Sequence, residues 1–404
     1  MMKWKSSHLG AVADLCLGKM LDQNKNRGES LPYLANVNVR WGDFALGNLR
    51  MMRFEPHERD RYGLKFGDIV MCEGGEPGRC AIWREQVPGM MIQKALHRIR
   101  SHDVLDYRFL FYELLNIGNS KGFDRYFTGA TIKHLPGEKL AKVEVAIPPL
   151  PTQRRIAGIL SAYDELIENS QRRIKILEAM ARALYREWFV RFRFPGHEKL
   201  RRVPSPLGEI PEGWEVRKLK DVCHLTMGQS PKSEFYNETG EGVAFHQGVT
   251  DFGDRFPSDR LFCTSAGRIA EAGDILFSVR APVGRLNIAN KTIVLGRGLS
   301  AIRHRQNHQA FLWEQLRNRF TEDDMMGNGA IFASVTKGDM QGIDLVCPPP
   351  SFVEAATKQF EPLHSEIATL SQQVQNLRRT RDLLLPRLLS GQIDVSNQIQ
   401  KVQA

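Results

Sequence analysis

The sequence predicts an α+β chain in which two pseudo-two-fold-related domains are joined by two long antiparallel coiled-coil helices. Three observations carry that prediction: the chain is written twice, each copy has a body of short apolar runs broken by turn residues, and each copy closes on a long heptad stretch.

The duplication is legible residue by residue. Trp4, Leu9, Val12 and Gly18 recur as Trp214, Leu219, Val222 and Gly228, each 210 positions later. Gly67-Asp68-Ile69 with Gly78-Arg79 recurs as Gly273-Asp274-Ile275 with Gly284-Arg285 at an offset of 206. Phe109, Leu110 and Leu114 recur as Phe311, Leu312 and Leu316 at 202, and Gly129-Ala130 and Pro148-Pro149 as Gly329-Ala330 and Pro348-Pro349 at 200. An offset that only falls, in small steps, is what loop-length differences between two copies of one domain produce. A period this long excludes a solenoid.

Within each body, Ile69-Val70-Met71 after Gly67-Asp68 and Ile275-Leu276-Phe277 after Gly273-Asp274 read as strands entered from turns. Asp103 to Leu115 and His308 to Phe320 read as the matching helix of each copy. Short strands outnumber helices, which makes each body α+β.

From Thr152 to Phe192 the chain has no Pro and only one Gly, Gly158, and so predicts one long helix. Its apolar seam runs Ile156, Leu160, Tyr163, Ile167, Ser170, Ile174, Leu177, Ala181, Leu184, Trp188 in strict 4-3 alternation. The second copy continues it as Ala356, Phe360, Leu363, Ile367, Leu370, Val374, Leu377, Arg381, Leu384, Leu388. A heptad sustained this far predicts a coiled coil rather than a surface helix, whose stripe would be wider and would drift. Paired antiparallel, the two helices place the bodies toward opposite ends and act as a ruler about 60 Å long. Their flanks mix Arg154, Arg155, Arg172, Arg173, Lys175, Arg182 and Arg186 with Asp164, Glu165, Glu168, Glu178 and Glu187, either a solvated coiled-coil flank or a docking face.

These elements divide the chain into a first body over 1–146, a first spacer helix over 147–192, a linker over 193–212, a second body over 213–346, a second spacer helix over 347–391 and a tail over 392–404. Lys plus Arg outnumber Asp plus Glu by 56 to 46, for a net charge of +10, which suits an acidic partner without demanding one. The six cysteines are scattered, with no CxxC pair and no zinc spacing, and read as buried reduced thiols. The N-terminus lacks an apolar signal region and no stretch approaches the roughly 18 apolar residues of a membrane span, so the cytoplasm is the default location.

Pro211-Glu212-Gly213-Trp214, a body ending in a Pro-Pro turn, Ile147-Pro148-Pro149-Leu150-Pro151-Thr152-Gln153 leading into a long helix, and Leu388-Leu389-Ser390-Gly391-Gln392-Ile393 near the C-terminus come in a specific order, duplicated. In this the chain resembles, over nearly its whole length, the specificity subunit of type I restriction-modification enzymes. The first copy departs from the pattern by lacking the Pro before Trp4, and the second by carrying Val353 where the first has Gln153. The resemblance implies a non-catalytic subunit whose two target-recognition domains each read one half of a bipartite double-stranded DNA site. It implies helices that fix the unread spacer, two docked methyltransferase subunits that carry S-adenosylmethionine and the adenine N6 chemistry, and two motor-nuclease subunits. No cofactor or metal is expected on this chain. The alternatives are a specificity subunit paired with a fused nuclease-methyltransferase, and a coiled-coil scaffold that does not bind DNA.

The chemistry of the partners is not written here. Ile147-Pro148-Pro149-Leu150 and Cys347-Pro348-Pro349-Pro350 carry the prolines of an amino-methyltransferase motif but neither its polar residue nor its aromatic one. Pro is tolerated at a helix start, where its fixed φ stiffens the turn. Gly18-Lys19 is followed by Met20, so there is no phosphate-binding P-loop, and neither a GxSxG elbow nor an HExxH pair occurs.

DNA contacts are expected from loops, with Lys and Arg on phosphates and a few Arg, Lys, Asn or Gln side chains on base edges. After the shared glycine the copies diverge, which nominates Lys19, Lys25, Asn26 and Arg27 in the first and Gln229 and Lys232 in the second. His246, Gln247 and Arg280 are further candidates in the second copy; Arg79 and Arg285 recur in both, which suits phosphate contact or structure better than base selection.

Overall fold

The computed structural model describes residues 4–20, 22, 26–265, 267–320 and 334–395. Four helices organise them: α1 (Tyr107–Asn119), α2 (Leu150–Tyr185), α3 (Gln309–Arg319) and α4 (Pro350–Leu389). The chain forms two compact units, Met1–Ser170 with Gln373–Ala404, and Gln171–Gln372.

In unit 1, β1 (Ala13–Leu17), β2 (Ile69–Cys72), β3 (Cys80–Ile82) and β4 (Leu96–Ser101) form an antiparallel sheet in the order β1-β4-β2-β3. A smaller sheet pairs Glu29–Leu34 antiparallel to Arg50–Phe54 and parallel to Met91–Ile92. The α1 helix buries Phe109, Leu110 and Leu114, together with Ile69, Met71, Cys80 and Ile99 of the main sheet. It begins at Tyr107 rather than at Asp103, because the Asp106 carboxylate accepts hydrogen bonds from the Arg108 and Phe109 amides and so caps it.

Unit 2 repeats the plan. Its β5 (Cys223–Met227), β6 (Ile275–Ser278), β7 (Leu286–Ile288) and β8 (Leu299–His304) run in the order β5-β8-β6-β7, the same permutation. The strand Val243–His246 lies parallel to Ile293–Leu295, as Glu29–Leu34 lies to Met91–Ile92. Each body also closes its first strand on its last, Lys5–His8 on Glu144–Ile147 and Glu215–Lys218 on Asp344–Cys347. The mixed α+β class and the duplication are therefore present as read.

The unit boundaries fall inside both long helices, not at the junctions near 146 and 346. Each body shares its core with the start of its own helix and the end of the other. In unit 1, Ile156, Ala157 and Leu160 of α2 are buried in one cluster with Leu385, Leu388 and Leu389 of α4. Rising numbers on α2 meet falling numbers on α4 and the residues just after it: Arg155 donates to the Val395 carbonyl and Arg381 pairs with Asp164. Within unit 2, Arg173 pairs with Glu366 at 2.6 Å, and the Tyr185 and Phe360 rings lie 6.5 Å apart. The helices are antiparallel in both units.

No seam position is exposed: Ile156, Leu160, Ile167, Ser170, Ala181, Ala356, Phe360, Ile367, Leu370, Val374 and Leu388 are buried, and Tyr163, Ile174, Leu177, Leu184, Trp188, Leu363, Leu377, Arg381 and Leu384 are half-buried. Toward the bodies the stripe widens to take in Ala157, Tyr185, Phe189, Leu385 and Leu389. A third surface packs there, and a two-position seam no longer suffices.

Three expected boundaries change. The α-helical part of α2 ends at Tyr185 and a π-helical turn, Arg186–Val190, follows, placing the Phe189 ring 5.8 Å from that of Trp214. The stretch 193–212 is not a loose linker: Arg202–Ser205 pairs with Gly208–Pro211, and Phe194 and Ile210 are buried in the aromatic cluster of Tyr185, Phe189, Trp214 and Phe360. Residues 392–395 likewise belong to unit 1, whose core includes Val395, while 396–404 lie outside the described residues. Cys72, Cys80, Cys223 and Cys263 are buried and Cys16 and Cys347 half-buried; all six are free thiols. No described helix is long and apolar enough to cross a membrane.

Burial also sets a pH response. It holds the imidazoles of His97, His246 and His364 below their ordinary range, and burial with the neighbouring His308 pushes His304 down to about 4. The unfolded chain takes up these protons near pH 6.5 and the folded chain does not, so stability falls as pH drops from 6.5 toward 4. Glu113, raised by burial to about 7, works in the opposite direction over part of that window but is a single group. Three of the four histidines lie in unit 2. We expect a lower denaturant midpoint at pH 5 than at pH 7.5, with the larger change in unit 2; equal midpoints would contradict it.

Candidate nucleic-acid interface

At one edge of each body the loops leaving the strands are tied together by backbone hydrogen bonds that are the same in both copies. The Gly18 amide donates to the Leu96 carbonyl and the Gly228 amide to that of Leu299, both at 2.9 Å. The next residue donates back along the neighbouring loop, Lys19 to Ile92 and Gln229 to Leu295, each at 3.0 Å. Gln93 donates to Leu34 at 3.1 Å as Gly296 does to His246 at 2.8 Å. Glu73 donates to Ala95 and Val279 to Gly298, at 2.8 and 2.9 Å, and Leu135 and Val335 close on Glu73 and Val279, both at 2.8 Å.

The shared glycine is a packing requirement of this frame. A Cβ on Gly18 would lie 2.4 Å from the Gln93 carbonyl oxygen, and one on Gly228 2.1 Å from that of Gly296. Only a residue without Cβ lets the loops approach so closely.

On this common frame the side chains differ. Matching hydrogen bonds make Gln229 the counterpart of Lys19, Gln247 of Ala35, Arg280 of Gly74, and Arg297 of Lys94. In unit 2 Gln229, Gln247, Arg280 and Arg297 are all exposed; in unit 1 only Lys94 of the four is. Gln229, Gln247 and Arg280, nominated from sequence, are thus brought to one edge. Nothing along the sequence marks Arg297 and Lys94, which sit in loops between strands with no repeat signature of their own. The Arg280–Ser334 bridge has its unit 1 counterpart in Gly74–His134, so the segment before Leu135 also reaches this edge.

Other nominations are corrected. Lys19 is only 4% exposed and its ammonium is held by the Glu58 carboxylate, the Arg53 carbonyl and the face of Phe54, so it cannot reach a phosphate. His246 is fully buried between Asp251, 3.7 Å from Nδ1, and Asp259, 3.4 Å from Nε2. Its carboxylates are in turn paired with Arg260 and Lys291. Arg79 is structural: it pairs with Glu76 at 2.6 Å and donates to the Asn36 carbonyl at 3.0 Å. Asn26 uses its side-chain oxygen on the Arg53 amide at 2.8 Å, tying the loop after β1 to the strand Arg50–Phe54.

Arg27, Lys232 and Arg285 are exposed, Lys232 lying 3.8 Å from Glu234. Lys25 lies outside the described residues, as do Gly329 and Ala330 of the repeat. Among the described residues no group of His, Cys, Asp and Glu side chains could hold a metal ion.

Known proteins share this organisation. The chain is 29% identical over 345 residues, 83% of its length and 80% of the other's, to a Methanocaldococcus jannaschii protein provisionally described as the MjaX type I restriction enzyme specificity subunit. It is 25% identical over 283 residues, 66% of this chain and 64% of the other, to the MjaIX specificity subunit of the same organism. The crystal structure of the S subunit of a type I restriction-modification system from M. genitalium covers 96% of both chains with a TM-score of 0.61 at 17% identity, which shows a common fold. The family model for the type I restriction modification DNA specificity domain matches residues 1–179 and again 211–375, once per copy of the repeat, and the chain belongs to that family.

Proposed function

We propose that this chain selects the DNA target of a type I restriction-modification complex, each body reading one half of a bipartite site in double-stranded DNA. The loop edge does the reading, and α2 and α4 set the unread spacer between the halves. One observation carries the proposal: a backbone frame that is the same in both bodies displays different side chains at equivalent positions. In unit 2 these are two arginines and two glutamines. A guanidinium matches the O6 and N7 acceptors of guanine, and a carboxamide matches the N6 donor and N7 acceptor of adenine, each bidentate pair giving roughly 1–3 kcal/mol of discrimination. Salt-sensitive affinity comes from phosphate contacts by exposed cations such as Arg27, Lys232 and Arg285.

Catalysis belongs to partners in this reading. Two methyltransferase subunits bring S-adenosylmethionine and dock on the helical region, two motor-nuclease subunits complete the enzyme, and this chain binds no cofactor itself. Mapping N6-methyladenine genome-wide with and without the gene tests it. The expected result is an interrupted, asymmetric motif that vanishes with the gene; no change in the methylation map would overturn it. Exchanging residues 213–346 for those of a relative is then expected to change one half of the motif only, and a change in both halves would sink the assignment of one body to one half-site.

A further inference from the structure

Of the four matched positions at the reading edge, all are exposed in unit 2 and only Lys94 is exposed in unit 1, where a turn stands beside them. Residues 128–134 form a tight projecting turn, closed by reciprocal backbone hydrogen bonds between Thr128 and His134, both at 2.9 Å. Gly129, at φ +90°, makes the turn possible: a Cβ there would come within 2.2 Å of the Ile132 carbonyl oxygen. The turn stands on the reading frame. Gly74, which replaces Arg280, leaves room for the His134 ring, whose Nδ1 would lie 3.1 Å from a Cβ at that position and is 3.3 Å from the Glu73 carboxylate.

At the tip Ile132 is 66% exposed, more than any other large apolar side chain among the described residues. Ala130 and Thr131 beside it are exposed too. The hydrogen-bonded base of the turn thus holds an isoleucine out at its tip. Lys133 lies 5.5 Å over the Phe127 ring and Arg125 4.9 Å over Tyr126, two cations braced on aromatics before and after the tip in the chain.

We propose that the turn at 128–134 enters the major groove of the half-site read by unit 1 and that Ile132 recognises a thymine there through its 5-methyl group. The inference rests on the reading of this edge as the DNA-reading edge. Thymine is the base that presents an apolar group in the major groove, so a methyl-bearing tip discriminates where an amide or guanidinium is lacking. Unit 1 then reads this position of its half-site by apolar contact. Gly129-Ala130 recurs in the second copy as Gly329-Ala330, but there the equivalent segment lies outside the described residues.

The test uses the chain assembled with its methyltransferase and duplexes carrying the mapped target, with each thymine of the unit 1 half-site replaced in turn by deoxyuridine. At one position the loss of the methyl group is expected to weaken binding on the order of fourfold, the size of one methyl removed from an apolar contact. Ile132→Ser is expected to weaken binding to the thymine duplex by tenfold or more and to abolish the difference between thymine and deoxyuridine, while discrimination within the unit 2 half-site is kept, which certifies the fold. Ile132→Val is expected to retain the difference. Equal binding of all thymine and deoxyuridine duplexes by the unaltered complex, or unchanged discrimination in Ile132→Ser, overturns the proposal. So does an Ile132→Ser chain that no longer assembles with the methyltransferase, because the tip would then be a protein contact. Absence of any sequence-specific binding by the unaltered complex would instead overturn the DNA-reading function itself.

Discussion

Replacing Glu178 by leucine is expected to destabilise unit 2 by about 3–5 kcal/mol, the usual cost of removing one partner from a buried ion cluster. The Glu178 carboxylate takes a hydrogen bond from Arg317 at 3.2 Å and faces Nη1 of Arg255 at 3.8 Å. Arg255 is 5% exposed, lies 5.0 Å over the Trp313 ring and donates to Nδ1 of His364, which in turn donates from Nε2 to Glu314 at 3.1 Å. Burial already pulls the Arg255 guanidinium down to about 10, so its charge is held in place by carboxylates rather than by water. With Glu178 gone, Arg317 loses its ion-pair partner and Glu314 is left as the acid beside Arg255. Unfolding followed by tryptophan fluorescence measures the loss, and the double variant Glu178→Leu/Arg255→Met is expected to recover most of it. A single variant as stable as the unaltered chain would show that the cluster is solvated.

The second large effect is a cavity. Phe360→Ala empties a site that is fully buried, with the Phe189 and Tyr185 rings 6.4 and 6.5 Å away and Ala181 and Ala356 in the same cluster. Rigid aromatic neighbours cannot collapse into the space, so the expected cost is about 3–5 kcal/mol. Equilibrium unfolding in denaturant reads it directly, and a loss below about 1 kcal/mol would mean that the cluster repacks.

How the polar plugs between body and helix differ illustrates what sequence reading missed. Glu314 and His364 of unit 2 stand where unit 1 has Tyr112 and Asp164, whose hydroxyl and carboxylate are 2.6 Å apart, with Arg381 completing the unit 1 set. In the heptad Arg381 reads as a break. It is a seam residue that reaches a specific acid, and nothing at a spacing of three or four residues records that, because the acid is 217 positions away. The stretch 193–212 reads as a linker for a related reason. Its Phe194 and Ile210 are too far apart to form a local pattern, and their burial comes from Trp214, Phe189 and Phe352.

The candidate site divides the same way. Lys19 and Gln229 occupy equivalent positions after the same glycine, and in sequence both are polar residues in a divergent loop. Lys19 is withdrawn into the fold by Glu58, 39 positions on, while among the described residues no side chain bonds to Gln229, which stays exposed. Gln247 and Arg280 are 33 residues apart in the chain and share an edge only because the strands before them are held in one frame.

By itself the sequence determined the duplication with its shared Gly18 and Gly228, the α+β class and the antiparallel heptad helices. These follow from periodicity, from repetition and from the stereochemistry of single residues, all of which are written along the chain. Only the tertiary structure decided which cations are spent inside the fold, which side chains meet at the reading edge, and that Ile132 stands out from it. Those outcomes depend on partners brought together by sheet pairing at separations of tens to hundreds of residues, where burial and charge compensation are properties of the folded neighbourhood rather than of the residue.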